Sequence, residues 1–474
     1  MATATQSATD MPGPRGLPLI GGKLNLVRLF RDPFPLLREL HTNYGDVVAI
    51  AQNDHSFVFG FGPQANHALL ANAAAFDVGK SGIIRFPKGS SIERVFSNNL
   101  ATMNGAHHKQ QRKLMQPAFH RQRIADYNAD MAALTQRTIE RWQPGQTVDL
   151  VVEMKQLTQR IAVKTLFGVD DDAELDQVGG LLRRTLSLTT NPLFFLLPFS
   201  VPGLPFHRVE RLATQLEAYI RHVIARKRTQ PEGGDVLQSL MHVRDEDGTK
   251  LSDDELIGHA FALFVAGHET TSNALVATLF LLDQHPAVAV DLLDELDGTL
   301  GGAAPTLDQI GKLPLLEGVI KESLRLLPPA LIGTRMAVQD TQLGGYAVRK
   351  GANVFYSEFI TQRMPEIYAE PDRFKPERWQ TIDPSTYEYL PFSAGPHMCI
   401  GWAFAMQELR VVLALLLQHY RLSLTPNARI DLNVRMQARP GMPMTIHAQD
   451  RQYRRVPVRG NITQLVNLRA RPAM

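Results

Sequence analysis

The chain has 474 residues, is 44% hydrophobic and 20% charged, and carries a formal net charge of +3 with a pI near 8.9. Its single cysteine, Cys399, excludes an intramolecular disulfide and a cysteine-built zinc site, so nothing requires an oxidising compartment. The basic balance is mild and spread out, which argues against a nucleic-acid partner. Residues 1–10 are a polar tail with neither a charged n-region nor an apolar h-region, so no signal peptide is expected. The Pro/Gly-rich segment Met11–Gly22 has little choice of backbone. Alternating runs at Val47–Ile50 and Phe57–Phe59 predict a hairpin. From Gly105 to Arg228 apolar residues recur at three and four, the spacing of helices. Within that span Asn191–Phe206 is the most apolar stretch, too short to cross a membrane and broken by prolines. It reads as a buried or partly buried loop, or alternatively as a lip through which greasy substrates enter. No uncharged apolar run approaches the roughly 20 residues of a membrane span.

A loop at Gln230–Asp235 precedes one long helix. Ser252 and Glu255 form a capping box at its start, and no breaker follows until His285–Pro286. Another loop lies at Gly301–Pro305. Thr341–Ser357 and Met444–Gln449 read as short strands. After Ala448 the chain turns basic, with Arg451, Arg454, Arg455, Arg459, Arg469 and Arg471, and reads as a solvated or partly disordered extension.

Several short patterns carry chemistry. Cys399 stands just ahead of a helical run that begins after Gly401, where peptide dipoles favour a thiolate. Gly395 and Gly401 let the backbone approach something flat or bulky. On its own, such a cysteine is more often structural. In the middle of the long helix, "AGHETT" puts Leu263, Gly267, Thr270 and Ala274 on one face. Gly267 removes a side chain there, and Thr270 and Thr271 can bond back to preceding carbonyls and bend the helix. Ser272 stands where a zinc motif would need a second histidine. Glu322 and Arg325, three apart, share a helix face.

Taken together, Phe392, Gly395, His397, Cys399 and Gly401 resemble the heme-binding loop of the cytochrome P450 family, Phe-x-x-Gly-x-Arg/His-x-Cys-x-Gly. Three further motifs of the family occur in order, "GAHHKQQRKLMQPAF", "AGHETT" and "KESLR", and the resemblance covers about Met11 to Ala448. "GAHHKQQRKLMQPAF" supplies His108 and Arg112, "GTRMA" supplies Arg335, and His397 joins them, all implied contacts to heme propionates. "KESLR" and "FKPERW" imply a structural triad of Glu322, Arg325 and Arg378 behind the heme. Gln362 stands where the family often has histidine.

The resemblance implies a mainly α fold with small β-sheets, a triangular prism. Heme b would lie between the long central helix and the helix after the cysteine loop. It implies a single heme domain over 11–448, flanked by the polar tail 1–10 and a basic C-terminal extension, 449–474. The expected function is a heme-thiolate monooxygenase placing one oxygen atom from O2 into an apolar fatty acid, terpenoid or polyketide. Cys399 is the expected iron ligand, and Gly267, Phe392 and Gly401 would contact the cofactor. Thr270 and Glu269 would handle protons. Phe261, Phe264, Val265, Ala266, Ala330, Leu331, Ile332 and the Phe194–Phe199 stretch are candidate pocket residues. Electrons from NAD(P)H would come through a separate ferredoxin or flavodoxin and its reductase, in the cytoplasm. The alternatives are a heme-thiolate isomerase or peroxygenase, and a non-enzymatic heme sensor or electron carrier.

Overall fold

A computed structural model of the chain describes residues 10–16, 22–78, 86–189, 191–229 and 234–468. Most of the polar N-terminal tail, part of the Pro/Gly segment, most of the 230–235 loop, and Arg469 and Arg471 lie outside the described residues.

The long helix organises the rest. It runs Asp253–Gln284 without interruption, and its N-terminus is closed in both directions. The Glu255 amide donates to Ser252 Oγ at 3.3 Å, and the Ser252 amide donates to Glu255 Oε2 at 2.8 Å. It ends at His285–Pro286, as the sequence predicts. Its second half is buried on every side, with Leu275, Leu279, Phe280, Leu281 and Leu282 all in the core. A helix apolar all round belongs inside a protein or a membrane; here the protein surrounds it. The helix Leu150–Phe167 lies along one side, where Thr158 donates its hydroxyl to the His268 carbonyl at 2.9 Å. The end of helix Ser91–Ser97 comes so close that a Cβ on Gly258 would sit 2.0 Å from the Asn98 carbonyl oxygen. Helices Pro314–Leu326 and Trp402–His419 complete the core.

The small sheets sit beside this helical body. The predicted hairpin forms, with Val48 opposite Phe59. Its Phe57–Gly60 strand pairs in parallel with Asn353–Tyr356, which pairs antiparallel with Gly333–Ala337, and Phe76–Asp77 closes the edge. Thr341–Leu343 and Tyr346–Val348 make a separate hairpin. Pro443–Ala448 lies between Thr147–Asp149 and Tyr420–Leu424. The architecture is the expected mainly α fold with small sheets. Among the described residues no single helix is long and apolar enough to cross a membrane.

Two expectations need correction. The stretch Asn191–Phe206, expected as a buried or partly buried loop, is partly buried but is not all loop. It contains a short helix, Pro192–Leu196, and splits its apolar residues. Phe194 is buried and stacks on Phe206 at 5.6 Å, while Leu196 and Phe199 are 71% and 60% exposed. The C-terminal extension is not simply solvated. Arg451 bridges Asp294 and Asp297 on the helix after the long one. Ile462, Leu465, Val466 and Leu468 are buried in the main core. A few apolar residues among many arginines hid that docking from the sequence.

Candidate heme and oxygen site

The cysteine loop is built by close backbone contacts. The Cys399 amide donates to the Phe392 carbonyl at 2.9 Å. Gly395 has φ +70°, and a Cβ there would lie 2.1 Å from the Leu70 carbonyl oxygen. Only glycine meets both demands. Helix Trp402–His419 starts immediately after Gly401. Burial pushes the Cys399 thiol up from its ordinary value, against the Gly401 amide and the Arg112 charge, which favour the thiolate. A coordinated metal would reverse that balance, because a coordinating thiol is deprotonated outright.

Cys399 stands where two cavities meet. The first, about 330 Å³, has Phe392, Cys399 and Gly401 on one side and Leu263, Gly267 and Thr270 of the long helix on the other. Ala274 lines it too, so the four residues predicted to share a face do so. A Cβ on Gly267 would meet nothing within 4 Å, so the glycine leaves open room above the helix. Thr270 donates its hydroxyl to the Ala266 carbonyl at 2.5 Å. With its hydrogen committed, Oγ1 can only accept from a molecule in the cavity. Thr271 Oγ1 is buried and unpartnered. The helix runs unbroken through Thr270 and Thr271.

The second cavity, about 290 Å³, gathers His108, Arg112, Arg335 and His397 around Cys399. The His108 and His397 rings lie 3.9 Å apart, centroid to centroid. Arg112 donates to the Met398 carbonyl at 2.7 Å, and Arg335 to the Thr334 carbonyl at 2.9 Å. Burial pushes His397 down to about 3, helped by His108, Arg335 and Arg112. His108 is lowered by burial, then by the two arginines, and its Nε2 is buried without a partner. Among the described residues none of these four makes an ion pair. Two guanidiniums and two neutral imidazoles with no acid to answer them, beside a thiol, fit a flat group carrying carboxylates at its rim and a metal at its centre. The residues present therefore fit heme.

The predicted triad forms in full. Arg325 grips Glu322 with two bonds, 2.8 and 2.9 Å, and Arg378 Nε donates to Oε1 at 3.0 Å. The Lys375 amide and Trp379 Nε1 donate to the same carboxylate at 2.9 and 3.0 Å, contacts the sequence did not suggest. Glu322 and Arg325 are fully buried. Gln362 takes a definite place here, donating to the Leu324 and Arg325 carbonyls and accepting from the Leu390 amide.

The predicted pocket wall is right at three of its seven named residues. Ala266, Ala330 and Ile332 line the first cavity, but Phe264 and Leu331 do not. Phe264 lies to the side of the cavity-lining face, its ring stacked on His268 at 4.6 Å. Leu331 is buried in the core, its carbonyl accepting from Ser357. Phe261 packs edge-on against Phe96 at 4.8 Å, and Val265 packs on the core. Neither cavity touches Phe194 or Phe199.

Sequence reasoning missed three residues. Tyr356 hydrogen-bonds Ser393 at 2.9 Å, with the Arg335 guanidinium 5.7 Å from its ring. Glu358 lines the first cavity with Oε2 buried and unpartnered, and burial raises its carboxyl to about 8. Gln437 donates to Glu269 Oε1 at 3.1 Å. Gln437 and Glu269 lie 168 positions apart and no local pattern links them.

Comparison with known proteins agrees with this geometry. The cytochrome P450 family model matches residues 11–443. The chain is 32% identical to a cyclooctat-9-en-7-ol 5-monooxygenase of Streptomyces melanosporofaciens, over 89% of this chain and 91% of that one. It is 30% identical to a pentalenene oxygenase of Streptomyces avermitilis, over 88% and 92%. Among solved structures, a cyanobacterial cytochrome P450 with retinoic acid bound aligns with a TM-score of 0.78 at 26% identity, covering 93% of this chain and all of the other.

Proposed function

The chain belongs to the cytochrome P450 family of heme-dependent monooxygenases, and from that premise we propose that it oxygenates an apolar terpenoid, using heme b and electrons from separate redox partners. Two similar proteins named for cyclooctat-9-en-7-ol and pentalenene support the terpenoid class over fatty acids and polyketides. Leu263, Ala266, Ala330 and Ile332 give the cavity the apolar wall such a substrate needs. Residues 11–448 are the heme domain in this reading, with 449–474 as its extension and the cytoplasm as its setting.

When bound, heme supplies activation of dioxygen at its iron. Cys399 would hold it through Sγ, a thiolate donating charge to the metal. Phe392, Gly401 and Gly267 would lie against its faces. His108, Arg112, Arg335 and His397 would bind the rim carboxylates, which would supply the counter-charge the two arginines lack. Across the cavity, Thr270 Oγ1 accepts a hydrogen bond from a water and so fixes it beside the long helix. Glu269, the next residue back, lines neither cavity and is bonded to Gln437, so it would pass protons from solvent toward that water by swinging from that position.

On the outer side of the cysteine loop, a surface depression of about 800 Å³ reaches Cys399 and Met398 and is lined by Arg121, Trp402 and Arg410. Trp402 is 47% exposed there. This is where a ferredoxin or flavodoxin, supplied by its NAD(P)H reductase, would dock.

One observation carries the reading: Cys399 and Thr270 face each other across one apolar cavity. Productive turnover consumes O2, two electrons and two protons, and leaves one oxygen atom in product and one in water. If protons are misdelivered, the same electrons leave as hydrogen peroxide. Thr270→Ala removes the accepting oxygen but favours the helix. The mutant is expected to keep heme and substrate binding, yield less product per NAD(P)H and release more peroxide. Unchanged coupling with a cyclic terpene substrate would show that Thr270 only packs the helix.

A further inference from the structure

We propose that Gln437 is a positioning residue for Glu269, and that the chain beyond Ala448 holds it in register. The inference rests on the proton-delivery reading of Glu269 above.

Two bonds tie the loop 433–437 to one face of the long helix. Gln437 Nε2 donates to Glu269 Oε1 at 3.1 Å, and one turn on Asn273 Nδ2 donates to the Arg435 carbonyl at 3.0 Å. The loop itself is fixed. Asn433 Oδ1 accepts the Arg435 and Gln437 amides at 2.8 and 3.1 Å, and the Asn433 amide donates to the Gln437 carbonyl at 3.2 Å. Asn433 Nδ2 lies 3.4 Å from Gln437 Oε1, which sets the amide with its N–H toward Glu269. Met436, at φ +55°, drops into the core and is 5% exposed. An amide suits this task. It holds the carboxyl by a neutral hydrogen bond, with no counter-charge, and leaves the second oxygen free.

The stem beneath the loop pairs only Asp431–Leu432 with Ala438–Arg439. A two-stranded ribbon that short is not stable alone. Its support comes from the C-terminal extension, which lies beyond the region that matches the family model. Asn461 Oδ1 accepts the Leu432 amide at 2.7 Å, and Asn461 Nδ2 donates to the Leu432 carbonyl at 2.9 Å. The Asn461 amide donates to Asp431 Oδ1 at 2.8 Å. The Ile430 amide donates to the Arg459 carbonyl and the Arg459 amide to the Ala428 carbonyl, each at 2.9 Å. A Cβ on Gly460 would sit 2.1 Å from the Ile430 oxygen, so the two segments touch backbone to backbone. Ile462, Leu465 and Val466 bury the end of the clamp. The extension thus reaches the site through Asn461, the stem, and Gln437 to Glu269.

The test uses full-length, heme-loaded protein with redox partners and a substrate it turns over. Gln437→Met keeps length and packing but deletes the donor. It is expected to retain heme and lower the product-to-peroxide ratio by about two- to tenfold, the scale of one hydrogen bond. Asn461→Ala is expected to lower the ratio in the same direction. It should also speed hydrogen exchange across 431–439 in the heme-loaded protein, a readout independent of turnover. In a Glu269→Gln background, Gln437→Met should add nothing, because its effect passes through Glu269. If Glu269→Gln itself leaves coupling unchanged, the proton-delivery reading fails. If Glu269→Gln uncouples while Gln437→Met matches wild type, or adds its effect independently, the positioning role of Gln437 is overturned and the reading of Glu269 stands. Wild-type exchange and coupling in Asn461→Ala would remove the extension from the account.

Discussion

The charges around Glu322 and those around Cys399 solve opposite problems. At Glu322 every charge is answered within the chain: one buried carboxylate accepts five hydrogen bonds from Arg325, Arg378, Lys375 and Trp379. At the second cavity His108, Arg112, Arg335 and His397 converge with no acid among the described residues paired to them, and the two histidines are held neutral. A closed network makes a fold; an open one makes a site. The same residue types, arginine above all, serve both, and their partners tell the two roles apart.

Breaking the closed network should have the largest effect. Glu322→Ala leaves two buried guanidiniums with backbone carbonyls as acceptors but no counter-charge, a loss of roughly 3–5 kcal/mol for a broken buried ion pair. Little soluble, heme-loaded protein is expected, and urea unfolding of what remains should show the deficit. A variant that folds and loads heme like wild type would place this cluster in the same class as a surface pair.

Removing a cation from the open network should do the reverse. Arg335→Leu is expected to leave the heme-free protein no less stable, because it relieves repulsion. Heme should dissociate faster by roughly ten- to a hundredfold, the scale of one charge-assisted hydrogen bond. Stopped-flow transfer of heme to an acceptor protein measures the second effect and thermal unfolding the first. Lost stability with unchanged heme retention would turn the contrast around.

Glu358 sharpens the comparison at smaller scale, as a carboxyl left unpaired at the cavity wall. Its folded value is raised from 4.5 to about 8. Across that window the folded chain keeps a proton that the unfolded chain has released, so this group's contribution to stability falls as pH rises. Glu358→Gln removes the effect. Relative to that variant, wild type should lose on the order of 1 kcal/mol per pH unit through the window. Urea unfolding of both at several pH values reads it, and parallel profiles would contradict it.

The parts legible in the sequence were those written at short, fixed spacing. The cysteine loop, the capping box at Ser252 and the four-residue face through Gly267 and Thr270 each sit within one loop or helix, so backbone geometry alone places them. The resemblance to the family then predicted Arg378 as partner to Glu322. What stayed hidden depends on packing between distant segments. Phe264 looked like a pocket residue by its place on the long helix, yet its ring stacks on His268 beside the cavity-lining face. Gln437 meets Glu269 only because a hairpin folds over the long helix. The extension beyond Ala448 reads as solvated by its arginines, while Ile462 and Leu465 decide its place.

The central claim is that Cys399 is the thiolate that holds heme iron in this cavity. Reduced, heme-loaded protein under carbon monoxide tests it most directly. Wild type is expected to show the red-shifted Soret band diagnostic of thiolate ligation. Cys399→Ser is expected to lose it, because a serine hydroxyl stays protonated and donates far less charge. Wild-type protein that binds no heme, or a Cys399→Ser variant that keeps the band, would contradict the account.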